Sequence, residues 1–96
     1  MSKKTTKTPR KRKRKMLQIV DRAYLAMNSR PAWGMCYRKK HLIEILGSLK
    51  SFDYLDTMIH ELLHYYFPKE SENCVNKTAT LMATALWGRR YRRLSK

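Results

Sequence analysis

The fold of this chain depends on the stretch HELLH, which runs from His60 to His64. On an α-helix, side chains four positions apart lie on one face about a turn from each other, so both imidazoles can reach one metal ion. In a chain of this composition the pattern arises by chance only about four times in a thousand. We therefore interpret it as a metal site rather than as two solvated histidines on a surface helix.

The residues on either side of the motif repeat with helical periodicity. We expect the helix to begin near Ser51, a plausible N-cap, and to end near Phe67, because Pro68 disfavours helix in the residue before it. Asp56 lies one turn before His60 and is better placed to accept a hydrogen bond from a metal-binding histidine than to bind the metal. The apolar stripe that would face the core consists of Leu55, Met58, Ile59, Leu62, Leu63 and Tyr66.

A second helix is predicted directly after the proline, with Ser71 as its cap. Glu72 lies one turn before an apolar stripe, and a carboxylate at a core-facing position needs a partner because an unpaired buried charge is costly. A metal held by His60 and His64 would be that partner, so we choose Glu72 as the third ligand. The stripe consists of Val75, Ala79, Met82 and Leu86.

Other residues compete with Glu72 for this role. Glu70 lies in the loop before the helix, where it can reach the motif but its direction is undefined. Cys74 and His41 are further candidate ligands. Glu72 itself could be only a first-turn carboxylate that the helix dipole favours.

Two segments precede the motif helix. Residues 16–28 have apolar side chains at helical spacing, which predicts an N-terminal amphipathic helix that ends before Pro31. Within residues 32–45, two short runs rich in aromatic and β-branched residues flank a basic stretch, which predicts a β-hairpin with Ile43 and Ile45 on its apolar face. The apolar stripe of the predicted N-terminal helix consists of Leu17, Val20, Tyr24 and Met27.

Positive charge is concentrated at both ends of the chain. The formal net charge is +15; residues 1–15 contain nine Lys or Arg and residues 89–96 contain five, with no acidic residue in either segment. Because residues 1–15 lack side chains that could form a core, we expect a disordered basic tail that contacts DNA or RNA phosphates. A solubilising tail that binds nothing specific is the alternative. The densest cationic run is Arg10, Lys11, Arg12, Lys13, Arg14 and Lys15.

The rest of the chain, residues 16–96, is long enough for one small domain. No apolar run approaches the length of a membrane span and no secretory signal is recognisable, so we expect a cytoplasmic protein, in the host cytoplasm if the chain is viral. Two cysteines, Cys36 and Cys74, are too few for a disulfide framework and are expected to be reduced. Trp87 and Tyr91 lie among the C-terminal arginines, a combination that could stack on single-stranded nucleic acid, although a solvated helix end is the simpler interpretation.

The pieces that follow one another between residues 32 and 94 are Trp33-Gly34, Leu42 to Ile45, Leu55 to His64, Phe67-Pro68, Glu72 and Ala85-Leu86-Trp87. In this order they resemble the minimal zincin-like metallopeptidases of phages and bacteria, and more distantly the SprT-like proteins. The resemblance implies a small zincin-like α+β fold with Zn²⁺ bound by His60 and His64. It also implies that Glu61 is the general base and that an acidic residue after the proline, best matched by Glu72, is the third ligand.

The function expected from these features is that of a zinc-dependent metallopeptidase with a peptide or protein substrate. Glu61 would take a proton from metal-activated water and deliver it to the leaving amine. The basic ends suggest substrates associated with nucleic acid, for which SprT-like proteins offer a precedent. Candidates for stabilising the oxyanion are Tyr65, Tyr66 and Tyr91.

The alternative function is that of a non-catalytic, zinc-containing nucleic-acid-binding or phage accessory protein. A structural zinc site fills all four coordination positions with protein, whereas a catalytic site leaves one to water or substrate. A fourth ligand from Cys74, His41 or Glu70 would favour this alternative.

Overall fold

The computed structural model describes residues 16–94, which form an α+β fold of five strands and two helices. The expected basic tail, residues 1–15, lies outside the described residues. Neither helix in the described part of the chain combines the length and the apolar character needed to cross a membrane. In chain order the elements are β1 (Gln18–Arg22), β2 (Ala26–Met27), β3 (Arg30–Pro31), β4 (Gly34–Tyr37), a 3₁₀ turn (Arg38–Lys40), β5 (Leu42–Leu46), α1 (Ser51–Tyr66) and α2 (Glu72–Gly88).

Strand β5 is the centre of a three-stranded sheet, with β1 and β4 on either side. β4 pairs with it antiparallel, so that Gly34 lies opposite Ile45 and Tyr37 opposite Leu42. The hairpin predicted from the sequence is therefore confirmed. Ile43 and Ile45 are fully buried, as their alternation predicted, because this face of the sheet packs against α1.

The N-terminal helix predicted for residues 16–28 is wrong. The segment forms β1, which pairs in parallel with β5, and then the short strand β2. Tyr24 and Met27, two residues of the supposed helical stripe, are 66% and 50% exposed, whereas Leu25, which lies off that stripe, is buried. Pairing with β1 gives β5 a neighbour on its second edge. This tertiary hydrogen bonding outweighs a helical pattern carried by one short segment.

A tight turn joins β2 to its antiparallel partner β3. Its central residues, Asn28 and Ser29, have φ angles of 53° and 65°. Positive φ at both central residues is what a type I′ hairpin turn requires, and asparagine tolerates it well. Asn28-Ser29 therefore forms a hairpin turn and not, as predicted, the end of a helix.

Helix α1 lies between the sheet and α2 and buries side chains on both sides. Toward the sheet, Tyr54 packs against the buried isoleucines of β5. Toward α2, Ile59 packs against Ala79 and Ala83, which are 1% and 0% exposed and whose small size lets the helices approach closely. The buried stripe of α2 therefore runs through Ala83, while Met82, which was expected on it, is 45% exposed.

The predicted break between the two helices is confirmed. α1 ends at Tyr66, two residues before Pro68. α2 begins at Glu72, and the Ser71 hydroxyl accepts a hydrogen bond of 3.1 Å from the backbone N–H of Cys74. This cap satisfies one of the N–H groups that the start of a helix leaves without partners.

The start of α1 is different. Ser51, expected to be the N-cap, is the first helical residue, and Lys50 occupies the cap position without a side-chain hydrogen bond. The first turn of α1 therefore has no counterpart of the Ser71 cap.

This difference predicts unequal effects for two serine-to-alanine substitutions. Ser71→Ala removes a capping acceptor and should lower the free energy of unfolding by about 1 kcal/mol. Ser51→Ala removes no capping bond and should change it by less than about 0.5 kcal/mol. Urea unfolding in the presence of EDTA, followed by circular dichroism, measures both values. Equal losses in the two variants would contradict the assigned caps.

Candidate metal centre

Three side chains that could hold a metal ion converge where α2 folds back over α1. His60 and His64 lie one turn apart on α1, and their Nε2 atoms are 3.1 Å apart. Glu72, the first residue of α2, brings one carboxylate oxygen to 3.2 Å from His60 Nε2 and the other to 2.9 Å from His64 Nε2. These are the three residues chosen as ligands from the sequence, and the structure brings them together.

The separations suit a tetrahedral zinc ion. Two nitrogens that each lie 2.0–2.1 Å from such an ion are about 3.3 Å apart. The observed distance between the Nε2 atoms, 3.1 Å, is close to that value. Two histidines and a carboxylate are also a donor set of catalytic zinc sites, which leave the fourth position to water or substrate. Among the described residues, no further His, Cys, Asp or Glu joins the group.

The protonation state of His60 favours metal binding. Burial lowers the pKa of His60; Glu72 and Asp56 oppose the shift and His64 adds to it. A neutral imidazole offers a lone pair to a metal, whereas an imidazolium does not, so a lowered pKa keeps His60 available as a ligand at neutral pH.

Asp56 was expected to accept a hydrogen bond from a metal-binding histidine. It accepts one from the Thr80 hydroxyl instead, at 3.2 Å.

Glu72 reaches its position for a reason other than the predicted one. Its side chain is 64% exposed, so burial on an apolar stripe does not direct it. The side chains of His60 and His64 are 20% and 28% exposed. The carboxylate instead lies at the first turn of a helix whose start is fixed by the Ser71 cap and by the short connection from α1.

Glu61 lies beside the ligands in a buried position and is only 8% exposed. Burial raises its pKa to about 7; His64 opposes the shift and Glu72 adds to it. A bound cation would lower this pKa again, because a nearby positive charge favours the ionised carboxylate. Burial and a bound cation thus act in opposite directions on the pKa of Glu61, and the burial makes this carboxyl group a better base than an exposed glutamate beside the same cation.

Gly34 allows strand β4 to approach Glu61. A Cβ atom at this position would lie 2.8 Å from Thr57 Cγ2 and 3.0 Å from Glu61 Cγ. A larger residue would therefore push β4 away from α1. β4 thus forms a close wall beside the candidate site.

An open cavity of about 520 Å³ adjoins the three ligands. Its lining includes Glu61, residues 34–36 of β4, and Arg38, which follows the strand. Burial raises the pKa of the Cys36 thiol, and Glu61 raises it further, so the thiol stays protonated at neutral pH. Cys36 and Cys74 are both free, as expected.

The competing ligand candidates lie elsewhere. Glu70 and Cys74 line a separate cavity of about 250 Å³. His41 forms a hydrogen bond through Nδ1 with the Tyr65 hydroxyl. Among the described residues, none of these candidates joins the group of His60, His64 and Glu72.

Among the described residues, the cavity lining includes none of the three tyrosines considered for the oxyanion. Tyr66 and Tyr91 are 61% and 62% exposed, and the Tyr65 hydroxyl is bonded to His41. Arg38 lines the cavity, and its Nε donates a hydrogen bond of 3.2 Å to the backbone carbonyl of Tyr65, which leaves the terminal guanidinium nitrogens for other partners. Sequence reasoning missed Arg38, because its place beside the motif depends on how the hairpin packs against α1.

The cationic run predicted to contact nucleic acid, residues 10–15, lies outside the described residues. Its contact with DNA or RNA therefore stays a prediction. The arginines of residues 89–93 are described. Arg92 and Arg93 line a different cavity from the one that His60, His64 and Glu72 line.

We expect the wild-type chain to bind about one equivalent of Zn²⁺. Loss of a residue that is only hydrogen-bonded to a metal ligand weakens metal binding roughly 10–100-fold. Glu72→Ala and His64→Ala each remove a ligand itself, so each should weaken zinc binding by more than that. Glu70→Ala is the matched control, because it removes a nearby carboxylate that lies outside the group. Competition with a chromophoric chelator measures the affinities. Absence of zinc binding by the wild type would rule out this ligand set. A zinc affinity of Glu70→Ala as low as that of Glu72→Ala would rule it out as well.

The chain matches no protein-family model, no curated protein and no solved structure in comparisons with known proteins. The case for a metal centre is therefore carried by three donor atoms and by the cavity beside them.

Proposed function

We propose that this protein is a zinc-dependent metallopeptidase with a minimal zincin-like fold. The observation that carries the proposal is the convergence of His60, His64 and Glu72, with distances of 2.9–3.2 Å between their donor atoms, beside the buried Glu61. The open cavity next to them supports a catalytic use of the group, because a substrate needs access to the reacting centre.

The proposed mechanism gives each side chain of the site a role. His60, His64 and Glu72 would hold the ion. A bound Zn²⁺ would supply Lewis acidity, to polarise a substrate carbonyl and to make water easier to deprotonate. Glu61 accepts the proton of the attacking water and later delivers it to the leaving amine.

Arg38 is proposed to stabilise the oxyanion that develops on the substrate carbonyl. It is a cationic side chain of the cavity lining, and its hydrogen bond to the Tyr65 carbonyl holds the guanidinium beside the end of α1. A fixed positive charge near a developing negative charge lowers the barrier without reorganisation during the reaction.

The substrate is proposed to be an extended peptide segment. β4 is an edge strand of the sheet and also lines the cavity, so it could pair with an extended chain, as the corresponding edge does in zincins. The net charge of +15 would concentrate the protein on polyanions, which favours protein substrates associated with nucleic acid.

The second candidate is a non-catalytic zinc protein that binds nucleic acid or serves as a phage accessory protein, and the high positive charge favours it. The two candidates differ in the fourth coordination position. The placement of His41, Cys74 and Glu70 outside the group supports the peptidase, because a structural site would fill that position with protein.

Replacement of Glu61 separates the two candidates. Glu61→Gln keeps the size of the side chain but removes the base, so it should lower kcat by at least about 100-fold while zinc affinity stays at the wild-type value. Cleavage of dye-quenched casein by the zinc-loaded protein measures the activity, and Glu70→Gln is the matched control. A zinc-loaded wild type without cleavage, or full activity in Glu61→Gln, would contradict the peptidase and support the non-catalytic candidate.

Replacement of Arg38 tests the oxyanion assignment. Arg38→Ala should lower kcat by about 100-fold, the loss typical for removal of one oxyanion donor. Lys39→Ala removes one positive charge from the adjacent exposed position and should leave kcat unchanged. The same casein assay compares the two variants, and a similar kcat in both would refute the role of Arg38.

A further inference from the structure

A second cluster of unusual side chains lies at the C-terminal end of α2. We define the C-terminal aromatic surface as Tyr54, Trp87, Tyr91, Arg92 and Arg93. The chain turns back after Gly88, and the Tyr91 backbone N–H donates to the Leu86 carbonyl at 3.1 Å. The four arginines of residues 89–93 are thereby gathered at one end of the helix.

Two arginines of this surface lie over aromatic rings. The guanidinium carbon of Arg92 is 3.4 Å from the centroid of the Trp87 ring, and that of Arg93 is 3.9 Å from the centroid of the Tyr54 ring. Arg92 is held there by hydrogen bonds to the carbonyls of Trp87 and Tyr91, at 3.0 and 3.2 Å. Arg93 is held by the Gly47 carbonyl at 2.9 Å. The surface therefore presents two layers in which a guanidinium lies over an aromatic ring and is hydrogen-bonded to the backbone.

A cavity of about 430 Å³ opens beside these layers. Its walls are mainly apolar and include Leu55, Met58, Leu86 and Trp87. A more polar cavity of about 540 Å³ adjoins it, and Arg93 lines both. Asp21, the ion-pair partner of Arg93, also lines both cavities. An apolar cavity lined partly by aromatic rings fits a molecule with a flat ring system.

The charge of the surface indicates an anion as its partner. Among the described residues, Arg93 pairs with Asp21 at 3.7 Å, but no carboxylate lies within ion-pair distance of Arg89, Arg90 or Arg92. These arginines therefore keep their charge available for phosphates.

We propose that the C-terminal aromatic surface binds single-stranded nucleic acid. A nucleobase enters the apolar cavity and stacks against the Trp87–Arg92 layers and the exposed ring of Tyr91, which also lines this cavity. The neighbouring phosphates contact Arg89 and Arg90. Stacking on aromatic rings and guanidinium planes requires unpaired bases, which a duplex does not offer. An anionic lipid surface is the less suitable partner, because an acyl chain gains nothing from a charged plane stacked over the ring. The proposal does not depend on the metal centre.

Trp87 itself reports on binding at this surface. The chain contains two tryptophans, so full-length Trp33→Phe leaves Trp87 as the only one. In EDTA and low salt, a dT12 oligonucleotide should quench Trp87 fluorescence, because a base stacks against the Trp87–Arg92 layers. Heparin, a polyanion without bases, should bind through charge but leave the emission unchanged. The basic tail can bind both probes, but only contact at the C-terminal aromatic surface alters this signal.

Substitutions on the surface provide the matched comparison. In the Trp33→Phe chain, Tyr91→Ala should shift the midpoint of dT12 quenching about tenfold to higher concentration, since one stacking contact is lost. Tyr24→Ala removes another tyrosine, which is 66% exposed and outside the surface, and should keep the midpoint within about twofold. Thermal unfolding of each variant checks that the fold is retained.

Several outcomes would overturn the proposal. They are dT12 binding by fluorescence anisotropy without a change at Trp87, equal quenching by heparin or by the matching duplex, and equal midpoints for Tyr91→Ala and Tyr24→Ala. Displacement of dT12 by phosphatidylserine vesicles with a blue shift of Trp87 emission would assign the surface to a membrane instead.

Discussion

The contact between the Glu72 carboxylate and the imidazoles of His60 and His64 forms only because α2 packs closely against α1. Ala79 and Ala83 leave the space for that approach, and the helix hairpin brings the start of α2 over the motif. The motif supplies two donors on one face of a helix, but a third donor has to come from another element. The candidate centre is therefore a property of the helix pair, and the distances between its donor atoms depend on how closely α1 and α2 pack.

The sheet contributes a wall that covers a carboxyl group of α1. Without a side chain at Gly34, β4 lies against α1 and covers Glu61. In the metal-free protein the raised pKa of Glu61 means that the fold favours the protonated carboxyl, so stability decreases as the pH rises from about 4.5 toward 7. A bound cation would oppose this loss by favouring the carboxylate. Proton binding and stability are therefore linked at this one residue.

The two candidate sites lie at opposite ends of α2. Glu72 begins the helix and Trp87 lies fifteen positions later, which corresponds to about 22 Å along the axis. Among the described residues, the cavity beside the candidate metal centre and the cavity beside the C-terminal aromatic surface share no lining residue. Occupation of one cavity would therefore leave the other accessible.

The sequence by itself determined the elements whose signals are local. The HELLH helix, the proline break, the Ser71 cap and the hairpin follow from periodicity, capping chemistry and alternation within a few residues. The choice of Glu72 rested on a core-facing position, which the structure does not give it, because the side chain is 64% exposed. Only the tertiary structure decided what depends on distant partners. β1 became a strand because it pairs with β5, more than twenty residues away, and Arg38 came to the cavity because the hairpin packs against α1. Hydrogen bonds and contacts between segments far apart in the chain leave no periodicity in either segment, so only the folded structure reveals them.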